Sequence, residues 1–140
     1  MNFIQSISTC MRKYVTFSGR ATRSEFWWFY LFTVLVNLVA TSQASSFVPV
    51  LLDGQDMTEN ESSYFLNNFF FLYLSTITSL ILLLPSLAVA ARRLHDVGRS
   101  GWWILIAFTV IGIIPLLIWY VTDTKDEENI YGPNPKTEDN

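Results

Sequence analysis

Three stretches of this chain, residues 26–52, 62–91 and 100–122, contain no charged side chain. Each is long enough to supply the roughly 20 residues that carry a helix across a ~30 Å hydrocarbon core. Charge is confined to the segments between them, and a soluble fold has no evident reason for such segregation. The pattern points to an all-α integral membrane fold. It has three transmembrane helices over about 26–48, 65–91 and 101–122, an N-terminal amphipathic interfacial helix and a short C-terminal tail. With 140 residues there is room for a single membrane domain.

The connecting segments alternate in sign. Residues 1–25 hold Arg12, Lys13, Arg20 and Arg23 against Glu25, whereas the next loop holds Asp53, Asp56, Glu59 and Glu61 and no base. The loop after the second span carries Arg92, Arg93 and Arg99 against Asp96, and the tail from Asp123 holds six acids and two lysines. Basic residues collect on the cytoplasmic side of membrane spans, while acids contribute little to orientation. Residues 1–25 and 92–100 are therefore expected in the cytoplasm, and residues 49–64 and 123–140 outside. Only the odd number of spans places the tail there. Trp27, Trp28, Trp102 and Trp103 are expected as anchors at the inner interface and Trp119 at the outer one, since amphipathic rings settle at headgroup depth. Cys10, the single cysteine, has no disulfide partner.

Local signals refine this outline. Phe3, Ile4, Ile7, Met11, Tyr14 and Val15 recur at helical spacing, as in a helix lying in the interface or packed on the protein's own inner loop. Thr22-Arg23-Ser24-Glu25 fits a capping box, in which the threonine caps the third N–H and the glutamate reaches back to the cap. Alternatively, Glu25 is the counter-ion of a nearby arginine. Pro85 should kink the second span, whose helix continues to Asp96, and Gly98 suits a left-handed C-terminal cap. Gly112 and Pro115 imply a bend in the third.

Several chemistries are excluded. One histidine and one cysteine far apart in sequence offer no zinc site, and no cofactor motif is present. There is no nucleophile elbow, no glycine-rich phosphate loop and no basic surface for nucleic acid. What remains is the cluster Arg92, Arg93, His95, Asp96 and Arg99. It reads either as a topology signal with internal ion pairs or as a site for an anionic group. In the second reading Arg20, Arg23, Arg92, Arg93 and Arg99 converge on a lipid phosphate or a partner's carboxylate, oriented by Glu25, Asp96 and His95. The expected function is a non-enzymatic binding or accessory role at the bilayer, acting on anionic headgroups, a membrane partner or a second copy of the chain. The alternative is a small oligomeric transporter or channel subunit, with Asn37 and the hydroxyls of the second span as its lining.

Three ordered blocks carry a family resemblance. They are Phe17-Ser18-Gly19-Arg20-Ala21-Thr22-Arg23-Ser24-Glu25-Phe26-Trp27, then Arg92-Arg93-Leu94-His95-Asp96-Val97-Gly98-Arg99-Ser100-Gly101-Trp102-Trp103, then Asn129-Ile130-Tyr131-Gly132-Pro133-Asn134-Pro135. From about Tyr14 to Lys136 the chain resembles the small bacterial inner-membrane proteins grouped as domain of unknown function 805. The resemblance implies a multi-pass protein of the bacterial plasma membrane and transfers no activity, substrate or catalytic residue. The acidic outer loop is long for that family.

Overall fold

The structure, a computed structural model, describes residues 1–42, 59–124 and 127–136. Its elements are α1 (Phe3–Arg12), α2 (Arg23–Ser42), α3 (Glu59–Asp96), a 3-10 helix (Gly101–Phe108), α4 (Ile113–Val121), and the two-residue strands β1 (Glu128–Asn129) and β2 (Gly132–Pro133). The strands pair antiparallel, Glu128 opposite Pro133 and Asn129 opposite Gly132. Residues 43–58, which include most of the expected 49–64 outer loop, lie outside the described residues.

The chain divides into two compact units, Met1–Phe32 with Leu83–Asn140, and Thr33–Leu82. In the second, Asn37 Nδ2 donates to Thr33 O at 2.8 Å, and Ser79 Oγ donates to Asn37 Oδ1 at 2.6 Å. Two of the polar groups expected as a conduction lining thus bond to each other, the usual use of hydroxyl and amide side chains between membrane helices. Leu38, Val39, Phe69, Tyr73 and Leu80 are exposed. Apolar exposure on this scale marks a surface made for something other than water. α2 and the stretch Phe69–Asp96 of α3 are each long and apolar enough to cross a membrane.

The first unit is built differently. Its core mixes Ala21, Phe26, Phe29, Ala88, Val89, Leu94 and Leu116 with buried Arg20, Glu25, Arg92, Arg93 and Asp96. α1 begins with a reciprocal cap, Gln5 N–H to Asn2 Oδ1 at 2.9 Å and Asn2 N–H to Gln5 Oε1 at 3.0 Å. This helix buries Ser6 and Cys10, and Phe3 meets Trp28 edge-on at 5.7 Å, while Ile4 and Met11 stay exposed. It therefore packs on the start of α2, the second of the two readings, and still presents apolar side chains outward. α2 is capped by Thr22, whose Oγ1 accepts from Glu25 N–H at 3.1 Å and whose carbonyl accepts from Phe26 N–H at 3.2 Å. α3 runs without interruption through a buried Pro85. It ends in a Schellman motif, with Arg99 N–H on Leu94 O at 2.8 Å, Gly98 N–H on His95 O at 3.0 Å and Gly98 at φ +71°.

The third apolar segment corrects the expected architecture, because residues 101–122 do not form one helix. An eight-residue 3-10 helix comes first, capped by Ser100, followed by a turn and the nine-residue α4. The two lie against each other, with the rings of Trp103 and Trp119 in a T-shaped contact at 5.5 Å. Trp119 therefore shares one end of the hairpin with Trp103, not the opposite interface. The turn depends on Gly112: a Cβ there would stand 2.1 Å from Ile106 O. At ~2.0 Å rise per residue the 3-10 helix covers roughly 16 Å, and α4 at ~1.5 Å covers about 14 Å. Each reaches about halfway through a hydrocarbon core.

Candidate functional site

The hairpin returns the chain to the end of α3, and there the polar core assembles. Asp96 Oδ1 accepts from Arg20 Nε at 2.9 Å, while its Oδ2 accepts from Arg93 Nη1 and Thr124 Oγ1. Arg93 also donates from Nε to Tyr120 O at 3.2 Å and from Nη2 to Thr122 O. Those carbonyls lie at the C-terminus of α4, where the last turn has no intrahelical donors left and the helix dipole is negative. Arg20 Nη1 donates to Gly132 O at 3.0 Å. On the other side of α3, Arg92 Nη1 donates to Glu25 Oε1 at 2.5 Å, and the Cys10 thiol approaches the same oxygen at 3.7 Å. The side chains of Arg20, Arg92, Arg93, Glu25 and Asp96 are all at most 3% exposed.

Three buried guanidiniums thus share two carboxylates, and backbone carbonyls accept part of what remains. Ionised donors make the stronger hydrogen bonds, and planar forks suit several acceptors at once. His95 completes the seam. Its Nδ1 lies 3.1 Å from Gly19 O, its carbonyl accepts from Asn129 Nδ2 at 2.9 Å, and its ring stacks on Tyr131 at 3.9 Å with 2° between planes. The three sequence blocks are therefore three parts of one interlock.

An open rim lies beside it. Arg23 Nη2 meets Asp123 Oδ2 at 3.0 Å and Lys136 Nζ meets Asp123 Oδ1 at 2.6 Å, with these side chains near half exposure. The Lys136 hydrogen bond holds the Asp123 carboxyl below its ordinary range, so it stays ionised. A cavity of about 570 Å³ opens here, with Arg23 and Lys136 as its cations and Trp27 and Val121 as its apolar wall.

The expected site residues are thus sorted by burial. Arg20, Arg92 and Arg93 are inside and paired, Arg23 is on the rim, and the Arg99 guanidinium lies 5.2 Å from the centre of the Trp119 ring. Asp96 and Glu25 are counter-ions. Thr22 makes its half of the capping box, while Glu25 turns to Arg92. Trp27, Trp28 and Trp102 keep exposed faces. Lys136 and Thr124 carried no signal in the sequence, Cys10 was marked only as lacking a disulfide partner, and Asn129, Tyr131 and Gly132 only as members of the third block. Among the described residues no group of three His, Cys, Asp or Glu could hold a metal ion.

Cys10 gives a direct probe of the interlock. Burial first, then the neighbouring Glu25 charge, pushes its thiol from 9.0 up to about 12. The native protein should resist iodoacetamide at pH 8 and alkylate fully once unfolded in SDS; rapid native labelling would contradict the packing of α1. Because the folded value is the higher one, this contribution to stability is complete below pH 9 and fades as pH rises toward 12.

Comparison with known proteins agrees with the block pattern. The chain is 36% identical over 127 residues to inner membrane protein YhaI of Escherichia coli K12, covering 90% of this chain and 91% of that protein. It is 36% identical over 132 residues to inner membrane protein YhaH of the same strain, covering 91% and 93%. No solved structure matches it. The model of the family described as "Protein of unknown function (DUF805)" matches residues 14–133, a stretch that contains nearly all of the interlock, and the chain belongs to that family.

Proposed function

We propose that the chain is an inner-membrane protein that crosses the bilayer twice, through α2 and α3, and binds anionic lipid headgroups at its cytoplasmic face without catalysing a reaction. In this reading the N-terminal segment, the 92–100 loop and the tail all lie on the cytoplasmic side. Supporting the sidedness, Arg12, Lys13, Arg20, Arg23, Arg92, Arg93 and Arg99 all fall in segments that the same rule assigns to the cytoplasm. Supporting the same side for the tail are the hydrogen bonds from Arg93 to Thr122 O, from Thr124 to Asp96 and from Arg20 to Gly132 O. Two E. coli relatives bear the name inner membrane protein, which supports the compartment.

The observation that carries the binding role is the rim, where Arg23 and Lys136 stand over a cavity walled by Trp27. A phosphate there would meet two cations that share the single negative charge of Asp123, with an interfacial indole beside the acyl chains. The buried arginines hold this rim in place and are not themselves the binding surface. Arg23→Gln with Lys136→Gln should cut the preference for phosphatidylglycerol over phosphatidylcholine by roughly thirtyfold, given about 1 kcal/mol per basic residue at an anionic surface. Quenching of tryptophan fluorescence by brominated lipids in detergent reads that preference. An unchanged preference in the double variant, with the fold intact, would remove the rim as the binding site.

A further inference from the structure

A second cavity has the opposite character. It measures about 480 Å³ and lies between the last turns of α3 and the start of the 3-10 helix, within the range of small-ligand sites. Leu87, Ala91, Phe17, Trp102 and Leu105 supply apolar lining, and His95 and Ser100 are its polar members. None of its lining residues is charged. Two arginines lie close by on α3, and the interlock explains their absence from the lining: Arg92 is turned to Glu25 and Arg93 to Asp96.

The protonation of His95 is set from the far side. Gly19 O can only accept, so Nδ1 carries the hydrogen, and in the neutral ring Nε2 presents a bare lone pair. Nε2 has no hydrogen-bond partner among the described residues. It faces the cavity wall, 3.4 Å from where a Cβ on Gly101 would stand, and Tyr131 covers one face of the ring.

We propose that this cavity binds the hydroxyl head of a neutral lipid, whose O–H donates to His95 Nε2 while its chain lies along Leu87 and Leu105. An anionic head would be buried with no cation, and an ammonium with no anion, and both would be costly. A carbonyl or ether would bring a second acceptor to Nε2 and leave it unsatisfied, even if it accepted from the Ser100 hydroxyl. A hydroxyl is the head that the histidine can satisfy, and exposed Trp102 puts the cavity mouth at the depth where amphiphiles carry their heads. Diacylglycerol and isoprenoid quinol share this chemistry. The site is separate from the Arg23–Lys136 rim and stands or falls independently of it.

The test uses the full chain in phosphatidylcholine nanodiscs, with radiolabelled dioleoylglycerol and a short-chain isoprenoid quinol as probes. Each is paired with a blocked form, its acetyl ester or its dimethyl ether. Saturable binding of either free hydroxyl probe, at least tenfold tighter than its blocked form, is the expected result, and whichever arm binds names the source. Leu105→Trp, which fills the cavity away from the interlock, should abolish it. His95→Phe, which keeps the stack on Tyr131, should do the same; if that variant fails to fold, Leu105→Trp decides. No saturable binding of either probe, equal binding of the blocked forms, or full binding by Leu105→Trp would overturn the proposal.

Discussion

Asp96→Ala should cost about 3–5 kcal/mol, the range for removing one partner of a buried ion pair, and on that scale the protein should fail to accumulate. The cost arises because Asp96 serves Arg20, Arg93 and Thr124 together, and both guanidiniums are almost without solvent. Without the carboxylate they stay buried as uncompensated charges. Glu25→Gln should be large for the same reason, since Arg92 loses its charged partner, whereas Thr22→Ala removes only a cap worth about 1 kcal/mol. Arg99→Ala, which loses one ring contact, should cost roughly 1 kcal/mol or less. Thermal unfolding in mild detergent would rank the four. Asp96→Ala within 1 kcal/mol of wild type would show that the charges are solvated and the interlock is not what holds this unit.

The second large effect is all-or-none. In a Cys10→Ser background, a cysteine at Ile130 should be invisible to a membrane-impermeant maleimide in intact cells, label readily after permeabilisation, and match one at Val97. A cysteine at Gln55, which lies outside the described residues, should label from outside. Ile130 is 87% exposed, so silence in intact cells reports sidedness and not burial. A third spanning helix would reverse the result at Ile130. It would also carry Thr122 and Thr124 about 30 Å from Arg93 and Asp96, stripping those groups of acceptors and donor at once. Outside labelling at Ile130 would therefore end the two-crossing reading.

The sequence made the first two long helices legible because an uncharged run has no alternative in water, and Gly98 marked the end of α3 because few other residues tolerate its φ. The hairpin was hidden by the same uniformity. Residues 101–122 are uncharged whether they cross the bilayer or fold back, and the turn at Thr109–Gly112 is marked by a single short hydroxyl, that of Thr109. Gly112 and Pro115 signalled a bend but not its size. For the site, the carboxylate partners Glu25 and Asp96 were readable as counter-ions. The acceptors on Tyr120, Thr122 and Gly132 were not, because backbone carbonyls are the same in every residue. Lys136 carried no signal, because nothing in the order of residues 123–140 pairs one lysine with Asp123 and not with the other acids.

The hairpin also imposes an order of events during synthesis. Arg20 is made 76 residues before Asp96 and 112 before Gly132, and Arg23 100 before Asp123. Translation at roughly 5–20 residues per second leaves those early arginines waiting several seconds for their partners. In that interval no partner within the fold offsets their charge, and water must solvate it. Only when residues 120–133 emerge can the charges be withdrawn from water, so the latest of these segments to be synthesised acts as a clasp that closes over the earliest.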